Sequence, residues 1–148
     1  MPRTIYVLNG PNMNLLGSRE PEKYGHTTLE GLEQLCRDAG REHGFDIEFR
    51  QSNHEGDLVD WIQEAGSKKA AGLLINGAGF TTTSIAIHDA LLAVPVPAIE
   101  VHITNIFARE PFRHASVIAP VARATMAGFG IHGYALAIAA LAGMAAKQ

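Results

Sequence analysis

Short apolar runs rich in β-branched residues alternate along the chain with segments whose apolar residues recur at helical spacing. The short runs predict strands at residues 4–8, 46–51, 72–75, 98–101 and roughly 121–127. The segments between them predict helices, the best marked of which lie near 29–39, 58–65, 83–93 and 131–146. Alternation of this kind builds a parallel sheet with helices on both faces. We therefore expect one α/β domain with a five-stranded parallel sheet over residues 1–148.

Signals at the helix ends and the loop lengths add detail to this plan. Thr27 followed by Glu30 has the pattern of a capping box, which predicts the start of the first long helix. The connection between residues 9 and 25 is longer than most loops that join a strand to a helix. Such a loop is typical of a lid, which we place at about residues 17–25.

Polar residues are concentrated directly after the predicted strands. Asn12, Asn76 and His102 follow three different strands. Ligands of parallel α/β sheets bind beyond the carboxyl ends of the strands. We therefore expect these side chains to converge on one site.

Composition and charge narrow the classes of partner. The chain of 148 residues has 12 Lys and Arg against 15 Asp and Glu, for a net charge of −3, and no basic stripe is present to bind nucleic acid. The uncharged segment between Arg123 and Lys147 is dominated by alanine and interrupted by glycine, unlike a membrane span, so we expect no membrane partner. The N-terminus lacks the apolar core of a signal peptide, and the single cysteine suits a reducing compartment, so we expect a cytoplasmic location.

No pattern for a cofactor or a metal is present. The turn after the first strand reads Asn-Gly-Pro-Asn, which is unlike a glycine-rich phosphate loop, and the seven histidines lack zinc-ligand spacing. Cys36 falls on the buried face of a helix, so we expect it in the core and not as a nucleophile. The type of catalysis that remains is acid–base chemistry without a cofactor or a metal.

Two side chains are candidates for proton transfer. His102 and Glu100 are two residues apart on a strand, so they share a face and the carboxylate can orient the imidazole as a proton donor. Tyr24 could act as a base where cations favour its phenolate, and Arg19 and Arg109 are the nearby sources of charge. A histidine held by a neighbour at a strand end, and a loop tyrosine used in packing, are the alternatives.

Other residues suit substrate binding. Asn12 and Asn76 can donate and accept hydrogen bonds, and Arg113 can clamp a carboxylate, although a surface arginine is the alternative. The run from Thr81 to Ser84 has the composition of a helix N-cap, with contact to a ligand hydroxyl as the second interpretation.

Several of these segments together resemble type II 3-dehydroquinases, in order and over nearly the whole chain. The strings that carry the resemblance are LNGPNMNLLG at 8–17, REP at 19–21, YG at 24–25, QSNHEG at 51–56, EVHITN at 100–105, ARE at 108–110 and FRH at 112–114. The resemblance implies a flavodoxin-like three-layer sandwich. It also implies cofactor-independent dehydration of 3-dehydroquinate to 3-dehydroshikimate, in the shikimate or quinate pathway.

The resemblance also implies roles by position. Tyr24 is similar to the family's base, Arg19 to its lid arginine and His102 to its acid, with Glu100 behind the histidine. Asn12 resembles the residue that steadies the enolate through a water. The positions that resemble substrate-binding residues are Asn76, Thr82, Asp89, Ile103, Thr104 and Arg113, with Arg109 and His88 in supporting positions. In that family Asp89 acts from or near a neighbouring subunit, and trimers assemble into a dodecamer.

Two positions depart from the family pattern. Thr82 stands where the family typically has a histidine that holds ring hydroxyls, and His88 stands where an arginine is often found. Both lie on the binding side, so we expect the chemistry to be retained and substrate recognition to be weaker or altered. A related lyase with another substrate, a protein that has lost activity, and a non-catalytic flavodoxin-like binding module are the alternatives.

Overall fold

A five-stranded parallel sheet forms the centre of the chain in the computed structural model, which describes residues 3–146. Its strands are β1 (Thr4–Asn9), β2 (Asp46–Gln51), β3 (Gly72–Asn76), β4 (Ala98–His102) and β5 (Ala124–Ala127). They lie in the order β2-β1-β3-β4-β5. This is the flavodoxin-like order, with the topological switch between β1 and β3. The predicted fold class is confirmed.

Four of the five strand predictions are correct to within one residue, and the fifth is correct only in part. The predicted strand began near residue 121, whereas β5 begins at Ala124. Residues Ala119–Val121 form a 3-10 turn that contains Pro120, and Arg123 N then donates to Ala98 O at 2.7 Å. Proline has no N–H to give to a sheet ladder, so the strand starts after it.

Helices cover both faces of the sheet. They are α1 (Pro21–Tyr24), α2 (Leu29–Glu42), α3 (Glu55–Ser67), α4 (Ile85–Ala93) and α5 (His132–Ala146). α2 and α5 pack on one face, and α3 and α4 pack on the other. None of the helices within residues 3–146 is long and apolar enough to cross a membrane.

The caps of two helices lie slightly later than the sequence signals suggest. The prediction that Thr27 caps the first long helix is wrong by one residue, because the hydroxyl of Thr28 accepts the bond from Gly31 N at 3.2 Å. Ser84 caps α4 by accepting from Ile87 N at 3.0 Å, so this helix begins two residues after the predicted start. Both caps satisfy an amide of the first turn that has no partner within the helix.

The two faces of the sheet bury separate apolar layers. Val7 and Leu74 point into the layer under α2 and α5, whereas Leu8 and Ile75 point into the layer under α3 and α4. Cys36 is fully buried in the first layer, and burial raises the pKa of its thiol to about 12. The prediction that Cys36 belongs to the core is confirmed.

Candidate active site

A cavity of about 270 Å³ opens at the carboxyl ends of the strands, between the turns that follow β1, β3 and β4. The sequence-predicted residues that line it are Asn12, Arg19, Tyr24, Asn76, Thr82, His102, Ile103, Thr104, Arg109 and Arg113. Three arginines are among the lining residues, and none of the lining residues that the structure describes is acidic. The cavity is therefore suited to an anionic ligand.

The turns after β1 and β3 cross at very close range. Gly10 N donates to Asn76 O at 2.8 Å, and a Cβ on Gly10 would lie only 2.4 Å from Gly77 O. Asn12 follows with a φ of 69°, a left-handed conformation that asparagine tolerates better than most residues. The backbone N–H of Asn12 donates to Asn53 Oδ1 at 2.9 Å. Glycine at position 10 and these two hydrogen bonds thus fix where Asn12 enters the cavity.

Asn76 is oriented by a buried hydrogen-bond network. Its Nδ2 donates to the hydroxyl of Tyr134 at 3.0 Å, and its Oδ1 accepts from Ala78 N at 3.1 Å. The Tyr134 hydroxyl in turn donates to Asn9 Oδ1 at 2.7 Å. Burial raises the pKa of Tyr134, so its hydroxyl keeps the proton that this last bond requires. Both ends of the Asn76 amide are therefore held in one orientation.

Tyr24 lies beside two guanidinium groups. Arg109 Nη1 donates to the Tyr24 hydroxyl at 2.7 Å. The guanidinium carbons of Arg19 and Arg109 lie 5.2 Å and 5.5 Å from the centre of the Tyr24 ring. Both guanidinium groups are therefore within the range in which a cation interacts with an aromatic ring. The structure thus brings together the tyrosine and both arginines that the sequence suggested.

The loop of residues 17–25, which carries Tyr24, contains the short helix α1. Glu20 precedes this helix with a φ of 42° and forms ion pairs with Lys23 at 3.1 Å and Arg19 at 3.6 Å. The hydrogen bond from Lys23 lowers the pKa of Glu20. The carboxylate therefore lies between the two cations of this loop and links them.

Glu100 lies behind His102 and outside the cavity. Its Oε2 is 3.0 Å from His102 Nε2, but the approach is outside hydrogen-bond geometry, and the buried Nε2 has no hydrogen-bond partner among the described residues. Catalytic hydrogen bonds are often poorly aligned before the substrate binds. Ser116 donates to the same Oε2 at 2.5 Å. The predicted pair is present, with a serine that the sequence did not indicate.

Of the remaining predicted residues, Arg113 and Thr82 reach the cavity, whereas Asp89 and His88 do not. Arg113 reaches the cavity while its Nε donates to Glu110 Oε2 at 3.2 Å, and Thr82 lines the wall half-buried. Asp89 is exposed on α4 outside the cavity of its own chain. The Nδ1 atom of His88 lies 2.7 Å from Val117 O, also outside the cavity. Within residues 3–146, no three His, Cys, Asp or Glu side chains cluster as a metal site would require.

Sequence reasoning missed three residues that hold the site together, namely Asn53, Ser116 and Tyr134. Asn53 lies after β2 in a string that the family resemblance already contains, so its position was a usable signal. Ser116 and Tyr134 lie in segments without a recognisable motif, and they reach Glu100 and Asn76 only through the fold.

Comparison with known proteins agrees with this geometry. The family described as dehydroquinase class II matches residues 3–142. The 3-dehydroquinate dehydratase of Afipia carboxidovorans is 57% identical and aligns over 99% of each chain, and that of Rhodopseudomonas palustris strain TIE-1 is 59% identical over 96% of this chain and 94% of the other. The crystal structure of type II dehydroquinase from Propionibacterium acnes superposes with a TM-score of 0.93 at 45% identity, over 97% of this chain and 98% of that one. The chain belongs to the class II dehydroquinase family.

Proposed function

We propose that this chain catalyses the dehydration of 3-dehydroquinate to 3-dehydroshikimate, with Tyr24 as the base and His102 as the acid. The observation that carries the assignment is the cavity itself. It holds a tyrosine hydroxyl 2.7 Å from a guanidinium, a histidine 3.0 Å from a buried carboxylate, and three arginines. Elimination next to a ketone requires a base, an acid and groups that stabilise the developing negative charge, and these residues can supply all three.

The reaction begins with proton removal. The phenolate of Tyr24, stabilised by Arg109 and Arg19, takes the proton from the carbon next to the ketone. The electrons of that bond form an enolate, and Asn12 steadies its oxygen through a water. The left-handed turn at Asn12 is held by the hydrogen bond from its backbone N–H to Asn53, so the backbone that carries this side chain is in place before the substrate arrives.

Loss of water completes the reaction. His102 donates a proton to the tertiary hydroxyl as its carbon–oxygen bond breaks, and the enolate collapses to the conjugated enone. Glu100 supports the imidazolium form of His102 before this transfer. Tyr24 then releases to solvent the proton that it took, and His102 takes up a proton from solvent, so the enzyme is restored and the net change is the loss of one water. No cofactor or metal takes part in these steps.

Binding residues surround the ring of the substrate. Arg113 clamps the carboxylate, Asn76 presents its oriented amide, and the backbone of Ile103 with the hydroxyl of Thr104 donates to ring oxygens. Thr82 contacts a ring hydroxyl with a shorter side chain than the histidine typical of the family. Because Thr82 does line the cavity, a lyase with altered substrate recognition is the second candidate function.

The working enzyme is proposed to be a cytoplasmic homo-oligomer, with trimers assembled into a dodecamer. Asp89 supports this proposal, because it is exposed on α4 and lies outside the cavity of its own chain. In the oligomer it would complete the site of a neighbouring subunit. A light-scattering mass near 15.9 kDa, that of one chain, would contradict the assembly.

One assay tests the function directly. The protein is mixed with 3-dehydroquinate, and the ultraviolet absorbance of the conjugated enone is followed. Tyr24→Phe and His102→Ala should each lower kcat by about 10²-fold or more. Tyr6→Phe and His43→Ala are matched controls outside the cavity and should retain the rate. No absorbance rise with the native chain refutes the dehydratase assignment, and full activity of Tyr24→Phe refutes its role as base.

A further inference from the structure

Glu100 is a carboxylate buried behind the cavity, and its environment has to stabilise it. Its side chain is 2% exposed, and a buried charge is costly unless hydrogen bonds compensate for the lost water. Two groups approach its Oε2, namely Ser116 Oγ at 2.5 Å and His102 Nε2 at 3.0 Å. We propose that Ser116 is a positioning residue for Glu100 and His102, a role that rests on the dehydration proposed above.

The direction of the Ser116 hydroxyl is set by the backbone around it. Its oxygen accepts hydrogen bonds from Ile118 N at 3.1 Å and Ala119 N at 3.0 Å. A serine hydroxyl has two lone pairs and one proton. With both lone pairs engaged, the proton is directed to Glu100. Ser116 is therefore a donor with one fixed target.

The segment that carries Ser116 is also anchored through the backbone N–H and the backbone C=O of the next residue, Val117. Val117 N donates to Thr81 O at 2.9 Å, and Val117 O lies 2.7 Å from His88 Nδ1. A carbonyl only accepts, so Nδ1 of His88 carries the proton of this bond. His88 therefore has a structural role, to hold the segment of Ser116, although it lies outside the cavity. Because these partners lie on α4 and in the turn before it, the position of Ser116 does not depend on the lid.

The hydroxyl acts on Glu100 in two ways. It stabilises the carboxylate form, and it fixes Oε2 at the position next to which the imidazolium of His102 must form. Several other ionisable groups lie around this pair. His88 lies against Val117, and the remaining ones line the cavity with His102, namely Arg19, Tyr24, Arg109 and Arg113.

Removal of the hydroxyl should weaken turnover more than binding. We expect Ser116→Ala to lower kcat about tenfold, equivalent to about 1.4 kcal/mol, and to leave KM within about twofold. Ser116→Thr keeps the hydroxyl and should restore most of the rate. Ser67→Ala is the matched control. Ser67 is the last residue of α3 and its hydroxyl donates to Glu64 O, so this variant should behave as the native protein.

A second measurement does not depend on activity. The carboxyl group of Glu100 is followed by NMR in protein labelled with ¹³C-glutamate, and its resonance is assigned by its loss in Glu100→Gln. Its chemical shift at neutral pH should change in Ser116→Ala, which removes the hydrogen bond to Oε2, and should stay at the native value in Ser116→Thr. If circular dichroism shows that Ser116→Ala does not fold, Ser116→Cys replaces it, since a thiol keeps the volume but is a weak donor.

The outcomes separate this proposal from the proposed function. A native chemical shift of the Glu100 carboxyl in the folded Ser116→Ala variant, or a native kcat in that variant, overturns the role of Ser116. An unmutated chain that fails to turn over 3-dehydroquinate overturns the dehydratase assignment instead. The NMR measurement still decides in that case whether Ser116 positions Glu100.

Discussion

Arg109 holds the hydroxyl of the proposed base, and its replacement gives the most direct test of how that base is activated. Its Nη1 donates to the Tyr24 hydroxyl at 2.7 Å, and its side chain is only 11% exposed, so solvent screens the contact weakly. A hydrogen bond to a charged group contributes about 1.5–3 kcal/mol. Each ~1.4 kcal/mol is a factor of ten in rate. Arg109→Met, which keeps the aliphatic bulk, should therefore lower kcat by about 10- to 100-fold.

A lysine variant distinguishes loss of charge from loss of shape. Without the guanidinium the Tyr24 hydroxyl loses a charged hydrogen-bond partner, so kcat should be lower across the whole pH profile. Arg109→Lys keeps the charge without the planar fork and should fall between the native protein and Arg109→Met. Arg41→Met removes an exposed arginine that pairs with Asp38 on α2, and it should leave kcat unchanged.

The assay is the absorbance of the enone product, measured across pH on variants whose circular dichroism and Tm match those of the native protein. If folded Arg109→Met keeps the native kcat and the native pH profile, the guanidinium does not activate Tyr24. Equal losses in Arg41→Met would show that the effect is not local to the cavity.

Three further predictions concern binding, orientation and stability. Thr82→His should lower KM for 3-dehydroquinate, since the longer ring reaches the hydroxyls that threonine contacts less well. Tyr134→Phe leaves Asn76 without its buried partner, which should cost about 1–3 kcal/mol in the free energy of unfolding by urea and also reduce kcat/KM. The hydrogen bond from Arg50 holds the pKa of Glu64 at about 2, below its ordinary 4.5, so its contribution to stability is present above pH 4.5 and lost as the pH falls through about 2. Glu64→Gln should therefore flatten the fall in unfolding free energy across that window.

Each of these predictions has an outcome that contradicts it. An unchanged KM in Thr82→His places residue 82 outside the contacts with substrate. A Tyr134→Phe variant with native stability and native kcat/KM shows that Asn76 does not depend on the network. Parallel stability curves for Glu64→Gln and the native chain between pH 5 and pH 2 show that its bond to Arg50 contributes nothing on folding.

The strands and the pairing of Glu100 with His102 could be predicted because their signals are local. Apolar runs mark β1 to β4, and Glu100 and His102 share a face because they are two residues apart on one strand. The start of β5 was misjudged because its apolar residues continue upstream through a proline turn. The cap of α2 was predicted one residue too early because two threonines are adjacent, and only backbone geometry selects Thr28.

The residues that hold the site could not be predicted from spacing because their contacts cross the fold. Tyr134 is 58 residues from Asn76 along the chain, and Ser116 is 16 residues from Glu100. Neither has an apolar period or a motif that points to its partner. Their roles follow from which elements the sheet order brings together, and a single sequence does not contain that order explicitly.

The crossing of Gly10 and Gly77 also limits how this cavity can be redesigned. A Cβ at position 10 would meet backbone atoms of Gly77, and a Cβ at position 77 would lie 2.7 Å from Ile118 and 2.9 Å from Thr81 Oγ1. Backbone atoms cannot move aside as a flexible side chain does, so a larger residue at position 10 displaces the turn after β3 and Asn76 with it. Libraries that randomise position 10 should therefore return few active clones. New substrate specificities are more accessible through Thr82 and the loop of residues 17–25, where a side chain can change without moving the sheet.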